Sequence, residues 1–309
     1  MSLHTTVERT TMNRNIKKVL IFIGLTFLFN YSLVILYFAF GGKWVTPGSV
    51  IITTGYMFIP MMMAIVVQKF IYKEPLKEPL GISFRCNLWF FVAWFIPPVI
   101  AFFAFGISLL FPEVEYSPGM EGMFEKLKST VTPERLEEIR KQTTTLSTHP
   151  IWLGLLQGMA TGVTINTITS LGEELGWRGL LHREMSYMGF WRSSAIIGFV
   201  WGLWHIPIIL QKQNYSQHPF VGILMMVIFT ILISPIFGYV REKARSVIAA
   251  AVIHGTLNAT MGLSLIMIKG GNELTVGVHG IPGFITLIIL NICIFIYDRF
   301  IAKEPVIKK

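Results

Sequence analysis

Eight apolar stretches, each near the ~20 residues that a helix needs to cross a bilayer, dominate this chain. They fall at roughly 18–40, 49–70, 88–111, 151–171, 193–210, 220–240, 246–268 and 280–301. Lipid offers no partner to a free peptide N–H or C=O, so apolar runs of this length cross as helices. The expected fold is all-α, a polytopic membrane helical bundle of about eight transmembrane helices. Only 14% of the 309 residues are charged, against about 25% in soluble domains.

The net charge of +9 would suggest nucleic acid in a soluble protein. Here the basic residues lie between apolar runs, as topology signals do, so the expected partner is the bilayer and not nucleic acid. With both termini on one side, 18 of the 26 Lys and Arg fall on that side. That bias predicts cytoplasmic termini and suits a bacterial plasma membrane. The run from Val19 to Phe40 is followed by no small-residue cleavage pattern and is read as a retained first span. Cys86 and Cys293 are too few and too far apart for a disulfide framework or a thiolate metal site.

Five regions follow from this pattern. Residues 1–17 form a cytoplasmic arm, 18–111 the first three spans, and 112–149 an extracytoplasmic loop. Residues 150–268 form a core of four spans, and 269–309 the last span with a basic tail. The long loop holds seven of the sixteen glutamates. Within it Thr132-Pro133-Glu134 reads as a cap followed by a first-turn proline, predicting a helix from Pro133 to about Leu146. Gly154, Gly158 and Gly162 recur every four residues, a spacing that lets helices approach closely.

Ionisable groups at membrane depth are costly and tend to be kept for function. Glu173 and Glu174 close the fourth apolar run, and the helix is expected to continue through them near one face of the bilayer. Glu174 and Arg178 are spaced i, i+4 with the acid first, the favoured order for an ion pair. Successive helical residues point about 100° apart, so Glu173 looks elsewhere and is free to act from a cavity as a general base. His205 lies in the fifth span, while His254 and Asn258 share one face of the seventh. An imidazole and a carboxamide can together stabilise a developing oxyanion. Glu173, His205 and His254 are also candidate ligands for a divalent metal such as zinc, although no HExxH pattern is present. A single membrane histidine can equally well hydrogen-bond across helices, and the two glutamates can form a surface pair. Convergence of these residues from three spans, in the halves nearer the cytoplasmic face, favours chemistry. His4, His149, His182, His218 and His279 are assigned nothing.

The set Glu173-Glu174-x-x-x-Arg178, a later histidine, then His254-x-x-x-Asn258 resembles the CPBP family of intramembrane proteases. That family comprises CAAX-processing and bacteriocin-processing (Abi) proteins and is related to the type II CAAX prenyl endopeptidases. The resemblance covers roughly residues 150–265. The family's usual FxxxH motif reads Trp201-x-x-x-His205 here. The resemblance implies that Glu173 activates a water that His205 helps to hold, while His254 and Asn258 stabilise the oxyanion. Glu174, Arg178 and Trp201 would support them. Members are commonly named metalloproteases, yet the better-understood ones are described as glutamate-dependent. No cofactor is firmly implied, and zinc stays open.

The expected function is an intramembrane endopeptidase using a glutamate-activated water, open to the cytoplasmic face and acting on a peptide or membrane-protein substrate. The alternatives are a proton-coupled transporter, or a non-catalytic bacteriocin-immunity or scaffold protein. No halves of matching pattern support a transporter's inverted repeat.

Overall fold

In the computed structural model, which describes residues 3–43, 46–128 and 131–307, the apolar stretches fold as helices. Seven are long and apolar enough to cross a membrane, and a bent pair makes up to eight. α1 (Leu3–Ala39) runs without a break through the polar arm and the first span. α2 (Pro47–Ile65) starts in a capping box between Thr46 and Ser49 and continues as π-helical turns to Ile71. α3 (Leu88–Ser108) starts at Asn87, whose side chain accepts the Trp89 N–H.

The long loop is more ordered than a single helix. It carries strand β1 (Val114–Tyr116), α4 (Glu121–Leu127) and α5 (Pro133–Thr145), the last capped by the Thr132 side chain as its sequence predicts. β1 pairs antiparallel with β2 (Ile268–Gly270), joining this loop to the one after the seventh span.

The fourth span departs from the expected straight helix. α6 (Pro150–Val163) and α7 (Ile165–Glu174) meet at Thr164 with a bend of 50°. The Thr167 hydroxyl donates to the Gly162 carbonyl at 2.7 Å, replacing a bond the break removes. Beyond α7 the chain continues as π-helical turns over Leu175–Leu181 and then α8 (His182–Glu184). The acidic pair therefore sits inside the helical stretch, not at its end.

α9 (Phe190–Trp204) and the short α10 (Ile206–Leu210) form the fifth span, and α11 (Pro219–Ala244) the sixth. α12 (Val247–Thr260) and α13 (Leu263–Ile266) form the seventh, and α14 (Ile281–Phe300) closes the bundle.

α12 lies at the centre. The Val247–Ile266 span is 72% buried, against 22% for Met12–Ala39. Its small residues, Ala249, Ala250, Ala251 and Gly255, let α3, α6, α7 and α11 pack around it. A Cβ on Gly162 would stand 2.7 Å from the Thr256 Cα, and one on Gly255 would stand 2.6 Å from the Asn166 carbonyl carbon. These contacts need glycine, and they give the four-residue glycine spacing its packing role. Outward faces carry exposed Leu20, Leu28, Ile35, Phe91, Phe95 and Ile292, a surface suited to lipid.

Ion pairs gather where the first half of α1 meets α8 and the loop after α2, and where the end of α11 meets the chain after α14. Glu74 takes Arg14, Lys18 and Arg183, and Lys18 also reaches Glu184. Glu304 takes Arg245. Lys308 and Lys309, counted in the basic tail, lie outside the described residues. The loops after α3, α10 and α13 meet at the opposite face.

Candidate active site

Glu173 and Glu174 end α7 and are both buried, 3% and 0% exposed. A carboxylate so placed must be hydrogen-bonded or paired to be tolerated. Glu174 has both. Its Oε1 accepts from Arg178 Nη1 at 3.0 Å, the expected i, i+4 pair, and it also accepts from His254 Nδ1 at 2.8 Å. The Arg178 guanidinium lies 4.6 Å from the Trp201 ring centroid and 4.9 Å from that of Phe237, so aromatic faces complete its surroundings.

Glu173 points away from this pair. Its Oε2 accepts the indole N–H of Trp201 at 2.9 Å. That bond is not visible from the sequence, where the tryptophan reads as a packing substitute for phenylalanine. Only the indole has a polar handle to offer.

The two histidines are held alike. His205 follows the last residue of α9, and its Nδ1 donates to the Trp201 carbonyl at 2.8 Å. His254 gives its Nδ1 hydrogen to Glu174. In each ring, an acceptor at Nδ1 fixes the tautomer and leaves Nε2 for another partner.

One cavity of about 190 Å³ is lined by Glu173, Trp201, His205, His254 and Asn258. Fourth, fifth and seventh spans thus bring their polar residues to a common space. Glu174 and Arg178 stand behind it. Thr53, Tyr56 and Met57 of α2 also line the cavity, as does His279, which the sequence reading left unassigned. The Tyr56 hydroxyl donates to the Trp204 carbonyl and Tyr31 to the Leu203 carbonyl at 2.8 Å, so α1 and α2 brace the end of α9 that carries His205. Polar residues at 53 and 56 within an apolar span were the available signal.

Metal ligation was open for Glu173, His205 and His254. Histidines anchored through Nδ1 are typical of metal ligands. Among the described residues, however, no three His, Cys, Asp or Glu groups converge closely enough to hold an ion.

The depth of His205 corrects another expectation. α9 starts beside the face that holds the termini, so His205 lies at its far end. The cavity also includes Gln213, Asn214 and His279, from loops of the opposite face. His205 thus lies toward the face opposite the termini, whereas His254, seven residues into α12, lies nearer the terminal face.

Residues 151–260 match the family model described as type II CAAX prenyl endopeptidase Rce1-like. This stretch is similar to an Rce1-like domain. It spans Glu173 to Asn258, including Trp201-x-x-x-His205 where the family's usual motif has Phe. An Rce1-like domain supports a CAAX-protease-like intramembrane endopeptidase as the general class of activity. With seven or up to eight candidate spans, the chain is an integral, multi-pass membrane protein. No curated protein matches it.

Proposed function

We propose that the chain is an endopeptidase that cleaves within the membrane by a glutamate-activated water. The observation that carries this is the cavity shared by Glu173, His205, His254 and Asn258. A base, a water holder and oxyanion donors must all reach one reacting carbon, and a common cavity meets that requirement.

In this mechanism Glu173 takes a proton from water as the oxygen attacks the scissile carbonyl carbon. His205 accepts the water's other hydrogen at Nε2 and fixes its direction. The former carbonyl oxygen becomes an oxyanion, which receives the Asn258 amide N–H and, when its ring is protonated, the His254 Nε2–H. The proton on Glu173 then passes to the leaving nitrogen as the C–N bond breaks. Glu174 and Arg178 hold His254 and the helix end in position. Trp201 orients the base. The transport reading is not favoured, because the chain shows no halves of matching pattern.

The substrate on this reading is a peptide or membrane protein: a prenylated CAAX-like peptide, a bacteriocin precursor or a membrane-bound signalling protein. Comparative membrane proteomics of wild type and Glu173→Ala tests the function. Peptides trimmed in wild type should persist uncut in the variant. An unchanged set of termini would remove the proposed activity.

A further inference from the structure

The reaction cavity continues outward. Asn214, Asn258, Met261 and His279 line it and also line a second cavity of about 750 Å³. That volume lies within the range of ligand-binding pockets, about 300–1,000 Å³. Ser216, Gln217 and Asn272 from two loops, with Glu125 of α4, give it a polar wall at the face opposite the termini.

The wall is a built structure. Glu273 Oε1 accepts the backbone N–H groups of Gln217 and His218, each at 2.7 Å, and so ties the 211–218 loop to the 271–280 loop. The Tyr215 hydroxyl donates to the His279 carbonyl at 2.8 Å, and the His279 ring stands edge-on to Phe229 with centroids 4.6 Å apart. His279 lies outside the matched 151–260 stretch.

The charge of the wall has one sign. Glu125 and Glu273 line the outer cavity, and among the described residues neither Lys nor Arg lines it. Lys269 sits between the lining residues Ile268 and Gly270 but reaches Glu121 at 3.3 Å. A hydrogen bond to Glu121, with the fields of Glu115 and Glu125, raises the Lys269 pKa, which marks this rim as acidic. Burial pushes the His279 imidazole down to about 4, so it is neutral at physiological pH. A neutral imidazole offers one donor and one acceptor to a peptide backbone passing the junction. Glu125 and Glu273 leave the passage net negative, a field that concentrates cations.

We propose that the outer cavity is the substrate passage and that it selects an extended peptide segment carrying Lys or Arg beside the scissile bond, presented from the face opposite the termini. This rests on the endopeptidase reading above. The test uses full-length protein in nanodiscs and two fluorogenic peptides that differ only in Lys or Glu at that flanking position. Wild type should cleave the Lys peptide with a kcat/KM at least about threefold higher, the scale of an exposed ion pair. In Glu125→Lys that ratio should fall to one or invert, and a ratio is insensitive to partial loss of folded enzyme. Equal values in wild type, or an unchanged ratio in Glu125→Lys, would overturn the proposal. Cleavage persisting in Glu173→Ala would instead sink the assigned base, while the peptide ratio still decided the passage.

A second measurement needs no catalysis. Ser216→Cys, in a background with Cys86 and Cys293 replaced, is labelled with cationic and anionic methanethiosulfonates, and the rates are normalised to a free thiol. The cationic reagent should react at least about threefold faster. Equal normalised rates would contradict a negative passage.

Discussion

Glu174 accepts the Nδ1 hydrogen of His254 at 2.8 Å, joining the end of α7 to the middle of α12 across 80 residues of chain. The same Oε1 atom takes Arg178. One carboxylate thus fixes the orientation of a cavity-lining imidazole and neutralises a buried guanidinium.

Removing that carboxylate should damage both stability and activity. Taking one partner from a buried ion pair costs about 3–5 kcal/mol, because the other charge is left unpaired. Glu174→Ala should therefore lower the thermal midpoint in detergent clearly, and kcat/KM by at least about 10²-fold as His254 loses its anchor. A variant matching wild type in both measurements would remove Glu174 from this role.

Trp201 provides a more selective test. Trp201→Phe keeps an aromatic ring but deletes the N–H that Glu173 accepts. A hydrogen bond to a charged group is worth about 1.5–3 kcal/mol, so kcat/KM should drop by about 10- to 100-fold. The thermal midpoint should move far less than in Glu174→Ala. Full activity in this variant would show that the indole does not orient the base.

Close packing of α12 gives a third expectation. In Gly255→Ala the new methyl would meet the Asn166 backbone at 2.6 Å. Overpacking of this kind costs about 1–3 kcal/mol, and it pushes apart the two helices that carry Glu174 and His254. Activity and thermal midpoint should fall together. Gly106→Ala, where nothing lies within 4 Å, is the control and should change neither.

Glu74 gives the pH dependence. Burial alone would raise its pKa, but hydrogen bonds and charge from Lys18 and Arg183 outweigh this and hold it below the usual carboxylate range. A depressed folded pKa contributes stability above the ordinary carboxylate value, and that stability is lost as pH falls through the folded one. The thermal midpoint should therefore decline on acidification. Glu74→Gln should start lower at neutral pH and decline less steeply. Parallel curves for the two proteins would contradict the assignment.

Much of this was legible because helical spacing is a local property. The i, i+4 pairs Glu174–Arg178 and His254–Asn258 and the glycines at 154, 158 and 162 announce shared faces without reference to the rest of the chain. The bend at Thr164 was not legible. No proline marks it, the nearby Gly162 reads as a packing residue, and the hydroxyls that satisfy the freed backbone belong to threonines that are equally at home in a straight helix. The Trp201–Glu173 bond and the approach of His279 join residues far apart in sequence, so no spacing rule finds them. The depth of His205 was misjudged for another reason. Its span begins at the terminal face, and a residue at the end of that span must lie toward the other side.

The most direct measurement is cleavage of a defined peptide by purified full-length protein in nanodiscs, comparing wild type with Glu173→Ala at matched thermal midpoint. The account predicts turnover by wild type and none above background by the variant. Undiminished hydrolysis by Glu173→Ala would contradict it.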